Sequence, residues 1–343
     1  MDHFSRASPS VSDLENRSAY GGAGVAEKER MGALGRVEFR FQVSDLTLLS
    51  VRRTLYVQQF DIGEVHRVPE LPDLPLGCDG MMLRSIAHDD LQPSLTSCTL
   101  GGRRAIRYVM HCFPRYYIDM SQTFDSYKQK FGGKTLSTIR RKIKKYSEHC
   151  GGNVRWERFT RPDELERYWA LAREVSSKTY QERLLDAGLP NNPSYLSNAK
   201  ELAEKDNLRA FLLFDGDKPV SYLFCPVERG VVQYAYLGYD PAYLRFSVGT
   251  VLQWLALESL FNERRFRYFD FTEGESEHKR LFGTNHLRCA NIAVMEASFR
   301  NRLLLHTHWH FSRFVDTLGQ WLDRRNYRGR LRRWLRFGRS AAT

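Results

Sequence analysis

The stretch VVQYAYLGYDPAYLRFSVGTVLQWLALESLF, residues 231–261, decides the fold. Its first nine residues alternate and are rich in valine and tyrosine, the pattern of a strand. Asp240-Pro241 ends that pattern, because proline fixes φ and has no N–H to give to a ladder. From Val248 the text runs apolar at helical length without a breaker, which predicts a buried helix. A strand, a short loop and a helix therefore follow one another at residues 239–249.

Working outward, LRAFLLF and PVSYLFCPVE read as strands, with turns at Asp215-Gly216-Asp217 and Arg229-Gly230. VRWERF alternates as a strand. Thr160-Arg-Pro-Asp-Glu then opens a helix with proline in its first turn and acids near its positive end. That helix turns Leu165, Trp169, Ala172 and Val175 inward, and a shorter helix follows near Tyr195 to Lys205. Downstream, RFRYFDF is a strand, SEHKRLF one or two helical turns and NIAVMEA a last strand. Residues 153–298 thus form a unit of order β-α-α-β-β-β-loop-α-β-α-β.

Residues 36–152 read as another unit. VEFRF is a strand, DLTLLSVRRTLYVQQF a helix, and RRAIRYVMHCF and YYIDM are strands. The proline-rich VPELPDLPLG is an extended connection. KTLSTIRRKIKKYSEH is a helix with Leu136, Ile139, Ile143 and Tyr146 on one stripe, stopped by Gly151-Gly152. Residues 1–35 lack periodicity and read as a loose tail, and residues 299–343 as a basic, aromatic helical tail. The class is α+β.

Composition bounds what such a chain can do. With 343 residues and 42% hydrophobic content the chain is globular, not disordered. No apolar run approaches the roughly 18–20 residues of a bilayer span. The first residues have no apolar secretory core, and a cytoplasmic location is expected. Cys78, Cys98, Cys112, Cys150, Cys225 and Cys289 are scattered without metal-ligand spacing, so neither a metal site nor a disulfide framework is expected. The net charge of +12 lies in two patches. Lys134 to Lys145 carries six cations and Arg324 to Arg339 eight, neither with an acid, so each patch predicts a localised anionic partner.

The element order, together with two motifs, resembles the GNAT acyltransferase superfamily. That family's phosphate loop runs roughly hydrophobic-x-Pro-x-Tyr-Arg/Gln-x-x-Gly-x-Gly/Ala, and this chain reads Tyr239-Asp-Pro241-Ala-Tyr243-Leu244-Arg245-Phe246-Ser247-Val248-Gly249. Leu244 departs at the Arg/Gln slot and Ser247 at the first glycine; Arg245 stands one residue away. The stretch FDFTEGESEHKRLFG, Phe269 to Gly283, is similar to the signature of a CelD/BcsL-type (BioF2-like) subfamily. Phe269, Asp270, Phe271, Gly274, Lys279, Phe282 and Gly283 match it, whereas Thr272 replaces a glycine and His278 a tyrosine. The resemblance implies two tandem GNAT-like lobes, distantly FemAB-like, and an acyl-CoA co-substrate with acetyl-CoA foremost. It also implies an amine or hydroxyl acceptor, such as an amino sugar or a cell-envelope polysaccharide intermediate.

The same resemblance assigns roles. Main-chain N–H groups near Tyr236, Leu237 and Tyr239 would hold the pantetheine arm and thioester. Ser247, Val248, Gly249 and Thr250, with Arg245, would hold pyrophosphate at the positive end of a helix. Glu275, His278 and Asp270 are the acid or base candidates, and Lys178, Tyr180 and Lys279 the acceptor contacts. Plainer readings stand beside these. Asp270 is equally a cap or loop ligand, Lys279 its ion-pair partner, Glu273, Glu275 and Glu277 a solvated acidic run, and the basic helix a solvated face. Two other functions remain open: aminoacyl transfer from charged tRNA, and non-enzymatic binding to nucleic acid or to an anionic membrane through residues 320–343.

Overall fold

The computed structural model describes residues 32–43, 46–62, 77–87, 91–179 and 188–324. Tyr180, residues 1–31 and the arginine-rich tail from residue 325 lie outside them. The first half is built of strands β1 (Ala33–Val43), β2 (Leu46–Gln59), β3 (Gly80–Ala87), β4 (Ser94–Leu100) and β5 (Arg103–Asp119). Helices α1 (Phe124–Gln129) and α2 (Gly133–His149) follow. Then come β6 (Trp156–Phe159), α3 (Leu165–Ser176), α4 (Pro193–Glu204), β7 (Leu208–Asp215), β8 (Lys218–Glu228), β9 (Val231–Gln233) and β10 (Tyr236–Tyr239). A 3-10 turn, Pro241–Phe246, leads into α5 (Val248–Glu263), followed by β11 (Tyr268–Asp270), α6 (Glu277–Phe282), β12 (Asn285–Glu296) and α7 (Phe299–Arg324).

The strands of the described residues join one mixed sheet in the order β1-β2-β3-β12-β5-β11-β9-β8-β7-β6, with β4 on β5 and β10 on β8. Helices cover both faces, and alternate side chains divide the second half into two cores. Phe211, Leu213, Leu223 and Cys225 face α1, α2 and α5. Ala210, Leu212, Phe214, Tyr222 and Phe224 face α3 and α4. At the other end α7 packs Leu304 and Leu305 against Phe39, Phe41 and Tyr108. The architecture is GNAT-like. β12 belongs to the second unit in sequence, yet it lies between β3 and β5 of the first, so the sheet runs through both. Among the described residues no helix is long and apolar enough to cross a membrane, and no three potential metal ligands cluster.

One expectation is overturned. DLTLLSVRRTLYVQQF is strand β2, not a helix, and pairs antiparallel with β1 from Ala33↔Val57 to Val43↔Leu46. Its leucines satisfy a helical spacing, but Leu48 and Leu49 are exposed. Thr47, Val51, Thr54 and Val57 are β-branched and favour the pleat once a partner strand is present. RRAIRYVMHCF and YYIDM are one long strand, β5, in spite of Pro114.

Candidate active site

The break between β9 and β10 opens the sheet. β9 pairs in parallel with β11 as far as Gln233↔Asp270, and Tyr234 N donates to Asp270 O at 2.8 Å. Beyond that point β10 continues on β8 alone. The register moves from Val227↔Val232 to Tyr236↔Phe224, one extra residue on the β9–β10 side. Asp240 N donates to Val220 O at 2.9 Å. Antiparallel alternation then turns the N–H groups of Tyr236 and Gly238 toward β8 and leaves those of Leu237 and Tyr239 on the open edge.

The facing edge is also open. β4 pairs with β5 up to Val109, and β11 pairs with it only from Tyr117. Among the described residues no strand pairs with the outer edge of β5 along residues 110–116, where Phe271 N donates to Tyr116 O at 3.0 Å. Pro114 is on this edge by the same alternation, so its missing N–H removes no ladder bond. The loop of residues 271–276 leaves β11 along β5, turned by Thr272 at φ +59° and Gly274 at φ +99°.

At the far end of β10, the Asp240 carboxylate caps the 3-10 turn by accepting from Ala242 N at 3.0 Å. Tyr243 is anchored by its hydroxyl, which donates to Asp215 at 2.8 Å. Ser247 is left-handed, φ +54° and ψ +41°, directly before α5, a conformation that glycine adopts without cost. Thr250 N and Val251 N both return to Ser247 O, while Val248 and Gly249 occupy the first helical positions, whose N–H groups have no partner within a helix. Gly249 is closer-packed than its loop setting implied. A Cβ there would meet Tyr239 Cδ1 at 3.3 Å and Leu237 Cδ2 at 3.4 Å, so it seats the helix on β10.

The basic helix α2 turns out to flank this loop. Ile139 and Tyr146 are buried against α5, and Lys145 Nζ donates to Arg245 O at 3.1 Å. Lys145 lies 5.6 Å and the Arg245 guanidinium 4.6 Å from the Phe246 ring centroid. With no acid in the first turn of α5, the region is electropositive.

The acid and base candidates separate by environment. Asp270 is fully buried and forms a two-oxygen ion pair with Arg115, while Thr272 N also donates to it at 2.7 Å. Its partner is thus Arg115 and not Lys279, whose Nζ donates to Glu273 O at 2.6 Å. Burial lowers the Lys279 pKa to about 8, against the opposing charges of Asp270 and Glu273. Glu275 is exposed and accepts a long 3.5 Å contact from Tyr116 Oη. His278 Nε2–H donates to Gln253 Oε1, and its ring lies 4.8 Å from that of Phe282. Burial first, then the charges of Lys142 and Lys279, lower its pKa to about 4, so it is neutral near pH 7. Lys178 is held by Glu174 at 2.9 Å and approaches Asp240 at 3.8 Å.

The depressed His278 pKa makes a pH prediction. Between pH 6.5 and 4 the unfolded chain binds a proton there that the folded chain refuses, so stability falls as pH drops through that window. His278→Gln is expected to lose roughly 1–3 kcal/mol less than wild type between pH 7 and pH 4 in urea unfolding. Equal losses would contradict the assignment.

Residues that sequence reasoning did not single out complete the cleft. His111 Nε2–H donates to Glu273 Oε1 at 2.7 Å, and Asn291 Nδ2 donates to the two Glu273 oxygens at 3.1 and 3.0 Å. The one local signal for them was Pro114, a proline inside a strand pattern.

Residues 133–280 match the family model described as an acetyltransferase (GNAT) domain. No curated protein matches the chain. Among solved structures, FemX overlaps 63% of this chain and 72% of its own, at 12% identity and TM-score 0.43. L-PGS from Bacillus licheniformis overlaps 67% and 72%, at 11% and 0.41. A GCN5-related N-acetyltransferase from Kribbella flavida overlaps 56% and 60%, at 12% and 0.31. From α2 through the 240–247 loop, α5 and β11 into α6, the chain is similar to the GNAT acetyltransferase domain.

Proposed function

We propose that the chain is an acyl-CoA-dependent acyltransferase that passes an acyl group, acetyl foremost, to an amine of an amino sugar or cell-envelope glycan intermediate. The observation that carries this reading is the placement of a helix start at the end of an open strand edge. Acyl-CoA would supply the activated thioester. The first N–H groups of α5, at Val248 and Gly249, with the positive end of that helix and the cations Arg245 and Lys145, suit a pyrophosphate. The edge N–H groups of Leu237 and Tyr239 suit the amides and the carbonyl of an extended arm. The Lys178 side of the cleft suits the acceptor. Catalysis then rests on positioning, on polarising the carbonyl and on removing a proton.

A thermal shift with acetyl-CoA tests the reading. A ligand at 100 times its dissociation constant stabilises by about 2.7 kcal/mol, a shift of several degrees. No shift at millimolar acetyl-CoA would reject it. The basic face of α2 beside the cleft favours a second reading, aminoacyl transfer from charged tRNA. Steeply salt-dependent tRNA binding, lost on neutralising Lys144 and Lys145, would support that one instead.

A further inference from the structure

Three neighbouring strands are irregular at one level of the sheet, and all three irregularities meet on one carboxylate. β12 slips by a residue against β5 between Asn291 and Ile292 and shifts against β3 between Ala290 and Ile292. In β3, Ser85 is buried with φ +59°, and its N donates to Asn291 Oδ1 at 2.9 Å. That bond fixes the Asn291 amide so that its Nδ2 reaches both oxygens of Glu273. Thr272 and Gly274, both at positive φ, hold Glu273 inward between them. Non-glycine residues at positive φ concentrate where the surroundings enforce a functional geometry. Here Ser85 and Thr272 are two such residues on either side of the same group.

The product of this arrangement is an oriented imidazole. Burial alone would raise the Glu273 pKa, but the His111 and Asn291 hydrogen bonds and the charge of Arg84 hold it below the ordinary carboxylate value. The group is ionised at neutral pH and can only accept, so Nε2 of His111 is the donating nitrogen, and in the neutral ring the lone pair is on Nδ1. The His111 side chain is 41% exposed, against 20% for Glu273. It stands on β5 between the stretches paired to β4 and to β11, where Glu273 of the 271–276 loop meets it. The other ionisable candidates lack this combination. Asp270 is sealed by Arg115, the His278 ring is committed to Gln253, and Glu275 is exposed and in contact with Tyr116.

We propose that His111 is the catalytic base for the acceptor amine and that Glu273, clamped by Asn291, is its positioning residue; this rests on the acyltransferase reading. The acceptor ammonium gives one proton to Nδ1 of His111. The freed nitrogen lone pair forms the C–N bond to the acyl carbon and the thioester C–S bond breaks. The departing sulfur takes the second nitrogen proton and leaves as a thiol, and the imidazolium passes its proton to water. The groups that face the pair from adjoining elements are Arg84 on β3, Lys279 on α6, Cys289 on β12 and His308 on α7.

The test uses the full chain and three readouts: acetyl-CoA binding by calorimetry, ring-nitrogen NMR of His111, and thiol release from acetyl-CoA with glucosamine or with water alone. Wild type is expected to show the Nε2–H tautomer, and Glu273→Gln to lose it. His111→Gln, which keeps a donor toward Glu273, should lower thiol release about 100-fold with acetyl-CoA affinity unchanged. Glu273→Gln should lower it about tenfold and move the acidic limb of the pH–rate profile, with recovery in Glu273→Asp. Added imidazole should partly restore His111→Ala. An Nδ1–H tautomer in wild type overturns the proposal whether or not turnover is seen. So does thiol release within twofold of wild type in His111→Gln, or a loss in Glu275→Gln with His111→Gln unaffected. Wild type that does not bind acetyl-CoA overturns the acyltransferase reading itself.

Discussion

Asp270→Ala is expected to cost about 3–5 kcal/mol of folding stability, because it strands a buried guanidinium. Asp270 is 0% and Arg115 4% exposed. Arg115 Nε lies 3.2 and 3.0 Å from the two carboxylate oxygens, and Nη1 donates to Phe60 O at 2.6 Å. The pair ties β11 to β5 and to the end of β2, so it holds one wall of the cleft. Burial lowers the Arg115 pKa, but the Asp270 charge more than reverses this and the net direction is upward. An arginine guanidinium is not deprotonated in proteins, so it stays charged when its partner is removed. Replacing both groups, Arg115→Met with Asp270→Leu, should recover most of the loss, since a packed apolar pair needs no compensation. Urea unfolding of the three variants checks this. A single Asp270→Ala within about 0.5 kcal/mol of wild type would be ordinary surface behaviour and would refute the structural role.

Leu237→Pro is expected to lower thiol release from acetyl-CoA about 10²–10³-fold while leaving the fold in place. The N–H of Leu237 points to the open edge of β10 and gives nothing to β8, and proline is tolerated on such an edge. On the proposed function the same N–H would be the donor to the thioester carbonyl, and removing one donor of this kind costs that factor. The Leu237 side chain packs on the α5 core, so Leu237→Ala is the control for lost packing. It should reduce stability and leave most of the rate. Comparable rate losses in both variants would transfer the effect from the backbone donor to the side chain.

What was legible in the sequence was local. The stripe of α2, the inward set Leu165, Trp169, Ala172 and Val175, and the apolar runs of β7 and β8 follow from periods of 3.6 and 2, which need no knowledge of partners. The loop from Asp240 to Gly249 was legible because each residue serves its own backbone: a cap, a proline at the first helical position and a left-handed residue before α5. Tertiary structure decided the rest, wherever a residue's meaning depends on what lies beside it. β2 became a strand because β1 offered a complete ladder. β12 joined β3 and β5, and so brought Asn291 to Glu273 across 18 residues, at the level where Glu273 meets His111 across 162. Asp270 was a carboxylate with two readings, and its buried pairing with a guanidinium 155 residues away is visible only in the fold. Glu273 looked like one acid in a solvated run, and the sheet turned it inward. Local backbone preference spans a few residues, whereas desolvation and pairing, which set what a carboxylate can do, act between residues that only the folded sheet makes neighbours.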